Sequence, residues 1–161
     1  MSDIIVQKFG GTSVGSDERI AAVAQIIKKA KKDNQIIVVV SAMSGETNRL
    51  INLAKSFGDN PDRREFDALI STGEKVSASL LAMALNSIGV KAKSFSASQI
   101  SMKTTDQHSK AKIIDVDGEK ILSTLEEDVV PIITGFQGVT ESGDVTTLGR
   151  GGSDTTAVAI A

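Results

Sequence analysis

Short runs of aliphatic residues alternate with amphipathic stretches in the first part of the chain. Residues 4–6 and 36–40 are unbroken apolar runs, which are typical of strands buried on both faces of a parallel sheet. Between them, residues 16–32 place apolar side chains at steps of three and four, at Ile20, Val23, Ala24, Ile27 and Ala30. This spacing predicts a helix with one buried stripe. The order strand, helix, strand predicts a βαβ unit.

Similar patterns continue along the rest of the chain. Apolar periodicity predicts helices over residues 47–57, 63–88, 117–127 and from 153 onward. Apolar runs predict strands over residues 90–95, 112–116 and 129–134. Pro131 cannot donate to a strand ladder, so we expect it at a strand start or a sheet edge. Gly73 interrupts the long helix and indicates a restart or a close approach to another segment.

Glycines mark two connections near the end of the chain. Residues 135–138 predict a glycine loop after a strand, and residues 141–144 predict a turn at a hairpin tip. The whole pattern, over 161 residues, predicts one α/β domain with a largely parallel sheet.

Composition narrows the possible functions. The chain has no cysteine, which excludes disulfides, thiolate zinc sites and cysteine nucleophiles. Aromatic residues make up 3 % and the net charge is −2, so we expect no nucleic-acid partner. No apolar run approaches ~20 residues and no leader pattern opens the chain, so we expect a cytoplasmic protein with no membrane partner. The only histidine, His108, is interpreted as a surface residue without a catalytic role.

A candidate anion site follows the first predicted strand, in the segment KFGGTS at residues 8–13. Lys8 supplies a cation, while Gly10 and Gly11 let backbone N–H groups approach a ligand. Ser16 then begins a helix, whose N-terminus favours anions. The spacing fits neither the P-loop nor the dinucleotide fingerprint. Anion binding and a plain strand-to-helix turn with an exposed lysine both remain open for this segment.

Two further loops share that edge of the predicted sheet. The segment SAMSGET at residues 41–47 follows a strand, so it should lie beside residues 8–13. It could equally be a connector that caps the next helix. The segment TLGRGGSDT at residues 147–155 surrounds Arg150 with glycines and opens a helix. Arginine can hold a carboxylate or phosphate bidentately. Two glycine loops that each carry a cation favour an anion site, and we expect Lys8 and Arg150 to meet at one pocket.

Five motifs occur together in the chain, and their order resembles that of the aspartate kinases in the amino acid kinase superfamily. They are KFGGTSV at 8–14, VSAMSG at 40–45, STGEK at 71–75, GFQG at 135–138 and GRGGSDTTA at 149–157. The resemblance implies a three-layer α/β/α sandwich. It also implies transfer of the ATP γ-phosphoryl to the side-chain carboxylate of L-aspartate, the first step of Lys, Thr and Met biosynthesis. Mg²⁺ on the nucleotide phosphates is expected, and the resemblance assigns no metal ligand within the chain.

The resemblance also implies roles for individual residues. Those expected to be catalytic are Lys8, near the transferring phosphoryl, and Asp154, which would orient the catalytic lysines. Those expected beside the nucleotide phosphates are Lys8, Gly10, Gly11 and Ser41. Those expected to bind aspartate are Thr47, Glu74, Arg150, Gly151, Gly152 and Ser153. Within this last group, Glu74 would face the ammonium and Arg150 would hold the α-carboxylate.

The resemblance covers the amino-terminal part of a kinase domain. Family members continue with a nucleotide-binding half and regulatory domains, and the helix from residue 153 reaches residue 161 without a capping signal. We therefore expect residues 1–161 to lack those parts and to show little kinase activity alone, within a parent that is homo-oligomeric. The alternative is a non-catalytic aspartate- or anion-binding module, or an assembly module.

Overall fold

The fold contains eight strands and six helices in the computed structural model, which describes residues 2–161. The strands are β1 (Ile4–Phe9), β2 (Gln35–Val40), β3 (Ala92–Phe95), β4 (Lys103–Thr104), β5 (Ile113–Asp115), β6 (Val130–Thr134), β7 (Gln137–Val139) and β8 (Val145–Thr147). The helices are α1 (Asp17–Ala30), α2 (Glu46–Ala54), α3 (Arg63–Ile70), α4 (Thr72–Ser87), α5 (Glu119–Glu126) and α6 (Gly152–Ile160). A 3-10 turn over Lys55–Phe57 extends α2.

The main sheet is four-stranded and parallel, in the order β1-β2-β6-β3. Alternate residues of β2 point to opposite faces. Ile36 and Val38 pack with α1 and α4, whereas Ile37 and Val39 pack with α5 and α6. Two helical layers therefore cover the sheet, which confirms the α/β/α sandwich and explains why the β2 run has no polar alternation.

The first strand is less buried than its apolar run predicts. Because β1 lies at the edge of the sheet, Ile4 and Ile5 are 48 % and 37 % exposed. The predicted strand is present, and Phe9 and Val6 pack against the core clusters on its two faces. The expected burial of Ile4 and Ile5 was wrong, because an apolar run does not reveal whether a strand lies at the edge of its sheet.

Pro131 sits in the interior strand β6, at its second residue. The preceding N–H of Val130 donates to Lys91 O on the β3 side, so the nitrogen of Pro131 faces β2. Pairing with β2 begins only at Ile132. The proline therefore costs no ladder hydrogen bond, which agrees with its predicted place near a strand start.

A second sheet, in the order β5-β4-β7-β8, was not predicted from the sequence. Gln137 and Gly138, expected in the glycine loop over 135–138, form β7 together with Val139. This strand pairs with β8 in an antiparallel hairpin. The predicted turn at 141–144 is the tip of that hairpin. Phe136 has a φ of +73° and carries the chain from the main sheet into the second one.

The predicted helix over 63–88 is divided at Ser71 into α3 and α4. A Cβ at Gly73 would lie 2.9 Å from the Cβ of Ala42, so the glycine permits the close approach that the sequence indicated. Together Arg63–Ser87 have the length and composition of a membrane-spanning helix, but half of the apolar window is buried inside the molecule. The buried half packs against the rest of the molecule as part of α3 and α4.

Candidate functional site

A cavity of about 610 Å³ opens where β1 and β2 end. Three chain segments meet there, namely the end of β1, the loop after β2 and the loop that leads into α6. The expected site residues on its lining are Lys8, Ser41, Thr47, Glu74, Arg150, Gly151, Gly152, Ser153 and Asp154. The structure thus brings Lys8 and Arg150 to one cavity, as the sequence led us to expect, while the roles of the individual residues stay predictions.

The two glycines of the first loop lie outside the cavity lining. The amide of Ser13 donates to Gly10 O at 3.0 Å, which closes a tight turn under the lysine. A Cβ at Gly11 would lie 2.8 Å from Ala42 O, and the amide of Ser44 donates to Gly11 O at 3.0 Å. Gly11 therefore lets the first two loops pack directly against each other.

Lys8 reaches into the cavity from the end of β1 and pairs with Asp154 in the first turn of α6. Its Nζ lies 3.0 Å from Asp154 Oδ1, with the two side chains 30 % and 72 % exposed. A pair this open to water contributes at most about 1 kcal/mol to stability. The ammonium has three N–H donors, so one carboxylate oxygen leaves donors for a further anion.

Glu74 is the buried acid of the cavity and is only 2 % exposed. Its Oε1 accepts from the amide of Ala42 at 3.3 Å, and Oε2 has no hydrogen-bond partner within residues 2–161. Burial raises the pKa of Glu74 to about 7, against the lowering effect of the backbone hydrogen bonds. An ammonium group placed at Oε2 would satisfy the free oxygen and favour the ionised carboxylate.

Arg150 is exposed and lines the same cavity. Gly149 and Gly151 flank it with φ values of +81° and +72°, a conformation that glycine adopts without strain. Within the described residues Arg150 forms no ion pair. The chain then enters α6, where by helix geometry the amides of Ser153 and Asp154 have no intrahelical acceptor. This wall therefore combines a guanidinium with backbone donors, a combination suited to a carboxylate.

Sequence reasoning missed one buried acid next to this wall. Asp67 on α3 is completely buried, and its Oδ2 lies 2.9 Å from Nδ1 of His108. The side chain of His108 is only 16 % exposed, so the prediction that it is a surface residue was wrong. An acid within the apolar stripe of a predicted helix, beside Phe66 and Ile70, is the signal that could have revealed Asp67.

The fold and the cavity define an α/β domain whose cavity lies at the carboxyl ends of parallel strands, the edge at which ligands bind in open α/β sheets. Residues 3–161 match the family model described as the amino acid kinase family, and the chain belongs to that family. The resemblance deduced from the five motifs is thereby confirmed.

Curated relatives are similar over nearly the whole chain. The aspartate kinase of Pseudomonas putida is 55 % identical over 159 residues, which are 98 % of this chain and 39 % of that protein. The aspartokinase of Geobacillus stearothermophilus is 54 % identical, with the same two shares. The chain thus spans about two fifths of the length of the curated relatives it matches.

Solved structures show the same fold. The aspartate kinase from Synechocystis superposes with a TM-score of 0.80 at 46 % identity, over 98 % of this chain and 26 % of that one. E. coli aspartokinase III, in complex with lysine and aspartate, superposes with a TM-score of 0.88 at 26 % identity, over 98 % of this chain and 46 % of that one. A second structure of that enzyme, in complex with aspartate and ADP, gives a TM-score of 0.87 at 25 % identity, over 99 % of this chain and 46 % of that one.

Proposed function

We propose that the chain forms the amino-acid-binding part of an aspartate kinase, which transfers the ATP γ-phosphoryl to the side-chain carboxylate of L-aspartate. One observation carries the proposal: a buried carboxylate with an unpartnered oxygen and an exposed arginine line the same cavity. A free amino acid offers the matching pair of groups, an ammonium and an α-carboxylate. The complex of E. coli aspartokinase III with aspartate and ADP supports this choice of substrates.

The proposed roles on the amino acid side follow from charge and position. Glu74 accepts from the ammonium, with Thr47 beside it, and Arg150 holds the α-carboxylate. The backbone donors at the start of α6 complete this wall, through Gly151, Gly152 and Ser153. The side-chain carboxylate of aspartate would then extend toward Lys8.

The proposed roles on the phosphate side use the remaining cations and dipoles. Lys8 offsets the repulsion between the attacking carboxylate and the phosphoryl group, and Asp154 positions the lysine through their ion pair. Ser41 lies beside the phosphates. Gly10 and Gly11 act by shaping the turn, since they do not line the cavity. No general base is needed, because the attacking carboxylate is already ionised at neutral pH.

Magnesium fits this site as a companion of the nucleotide. Residues 2–161 contain no group of three or more acidic or histidine side chains that could hold a metal ion. Mg²⁺ commonly takes phosphate oxygens and waters with only one or two protein carboxylates, and Asp154 is the exposed carboxylate of the cavity. The ion would neutralise phosphate charge, and Lys8 would do so from the protein side.

The proposal extends to the protein that contains this domain. We place residues 1–161 in the amino-terminal part of a kinase domain, within a cytoplasmic, homo-oligomeric enzyme of lysine biosynthesis. Nucleotide binding would require the further chain that the longer relatives possess. The chain by itself should therefore bind aspartate weakly and show little kinase turnover with ATP, Mg²⁺ and aspartate.

Calorimetric titration of the chain with L-aspartate tests the proposal. Arg150→Ala removes a charge-assisted hydrogen bond worth about 1.5–3 kcal/mol, so aspartate affinity should fall roughly ten- to a hundredfold. Arg19→Ala is the matched control, because Arg19 is exposed on α1 and lies outside the cavity lining. Equal affinities in the Arg150 variant and the native chain would remove Arg150 from the site. Tight aspartate binding, undiminished without further chain, would instead favour a dedicated binding module.

A further inference from the structure

The buried carboxylate of Asp67 gathers donors from two distant parts of the chain. Oδ2 accepts from Nδ1 of His108 at 2.9 Å, the amide of Ser109 at 2.9 Å and the amide of Thr147 at 3.0 Å. Oδ1 accepts from Ser109 Oγ at 3.2 Å and from Thr147 Oγ1 at 2.7 Å. These contacts cross 41, 42 and 80 positions of sequence, so Asp67 ties α3 to the loop before β5 and to the end of β8.

Every polar group of Thr147, the last residue of β8, forms a hydrogen bond. Its amide and hydroxyl donate to Asp67, and its carbonyl accepts from the amide of Ala111 at 3.0 Å. The next amide, of Leu148, donates to Phe136 O at 2.9 Å. Hydrogen bonds at two consecutive residues therefore fix the course of the backbone as it leaves β8.

That path leads directly to Arg150. Ser109 and Thr147 both line the cavity, whereas Asp67 does not. A Cβ at Gly149 would lie 3.1 Å from Ser109 O, so the glycine packs on the same loop that Asp67 holds. Two residues bound by Asp67 thus support the turn whose next residue is the cavity arginine.

We infer that Asp67 is the positioning residue of the arginine wall: it holds Ser109 and Thr147 so that the turn through Gly149 presents Arg150 to the cavity. The effect on a ligand rests on the proposed function, in which Arg150 holds the α-carboxylate of aspartate. The effect on the turn itself is a property of the chain and can be measured without any ligand. His108 then serves the same end, as one of the donors that keep the carboxylate in place.

Amide hydrogen exchange of the 161-residue chain tests the inference, with residues 147–152 as the reporter. Asp67→Ala removes every acceptor, so protection in the reporter segment should fall by about tenfold or more, the effect of at least one charge-assisted hydrogen bond. Protection in α1 and β2 should change much less, which separates loosening of the turn from global unfolding. Asp144→Asn is the matched control, because Asp144 also ties the β7–β8 hairpin to α3, through Arg64, but lies outside the cavity lining.

Two gentler variants keep the test decisive if Asp67→Ala does not fold. Asp67→Asn is nearly isosteric: its oxygen can replace Oδ2, and its amide can donate to the hydroxyls of Ser109 and Thr147, which also accept. It should retain most of the protection. Thr147→Val keeps the amide but deletes the hydroxyl donor, so exchange in residues 147–152 should rise while α1 and β2 stay protected.

Titration with L-aspartate by NMR completes the design. If the native chain binds aspartate, Asp67→Ala and Thr147→Val should weaken binding, and Asp67→Asn should weaken it less than Asp67→Ala. A native chain that fails to bind aspartate would refute the proposed function, while the exchange data would still decide the positioning role. Unchanged exchange at residues 147–152 in both Asp67→Ala and Thr147→Val would overturn the inference even if aspartate binds. So would a rise in Asp144→Asn equal to that in Asp67→Ala.

Discussion

Glu74 should make the stability of the protein fall as the pH rises from acid to neutral. Burial raises the pKa of this carboxyl from its ordinary 4.5 to about 7 in the folded chain. Between those two values the folded state holds a proton that the unfolded state has released, so folding is progressively disfavoured. Below pH 4.5 both states are protonated and no penalty exists; above pH 7 the penalty is complete.

The size of this loss of stability follows from the rise in the pKa of Glu74. At 1.36 kcal/mol per pKa unit, the rise corresponds to a loss of about 3 kcal/mol in the free energy of unfolding. Glu74→Gln removes the titration but keeps an oxygen that can accept from the amide of Ala42. The variant should therefore gain stability relative to the native chain as the pH is raised, by up to about 3 kcal/mol at pH 8.

Urea unfolding at several pH values from 4.5 to 8 measures this difference directly. The quantity to follow is the free energy of unfolding of Glu74→Gln minus that of the native chain, because other titrating groups largely cancel in it. Glu126→Gln, at an exposed position near the end of α5, is the control and should show no such trend. A difference for Glu74→Gln that stays flat over this range would refute the assignment of a buried, proton-binding carboxyl.

Protonation of Glu74 should also weaken aspartate binding, because the ammonium group of the ligand needs the ionised carboxylate. Aspartate affinity should therefore fall up to tenfold per pH unit below about pH 7.

Two glycine substitutions test the close approaches behind the cavity by urea unfolding. Gly73→Ala should lower the free energy of unfolding by about 1–3 kcal/mol, because its Cβ would meet that of Ala42 at 2.9 Å, and this outweighs the better helix propensity of alanine. Gly118→Ala is the control and should be neutral or slightly stabilising, since its Cβ would meet nothing within 4 Å. An equal effect of the two substitutions would contradict the argument. Gly138→Ala should be more destabilising, since its Cβ would overlap Thr104 Cγ2 and lie 2.9 Å from the backbone oxygen of Met102. Normal stability of that variant would mean that β4 and β7 do not pair as described.

The sequence predicts best where one local pattern decides the structure. The run at 36–40 became β2 because a strand buried on both faces must be apolar throughout. The loops bearing Lys8 and Arg150 could be placed at one edge because parallel strands end at the same side of a sheet. The five motifs added the family and the expected site residues.

The features that were missed depend on distant partners. β4 has only two residues, too few for a period to be visible, and it exists through pairing with β5 and β7. β5 lies within the strand predicted over 112–116, but its place in a second sheet was not predicted. The exposure of β1 depends on the order of strands in the sheet, which its own residues do not encode. Asp67 and His108 resemble ordinary polar residues until the chain brings them together across 41 positions.

Ala42 gives three segments of the site a common point of contact. Its amide donates to Glu74, its carbonyl borders Gly11 and its methyl group borders Gly73. Atoms in such close contact cannot be compressed, so a shift of the lysine-bearing turn must displace the start of α4 and the acid it carries. The buried acid and the lysine-bearing turn are therefore coupled through Ala42, and a displacement of either is transmitted to the other.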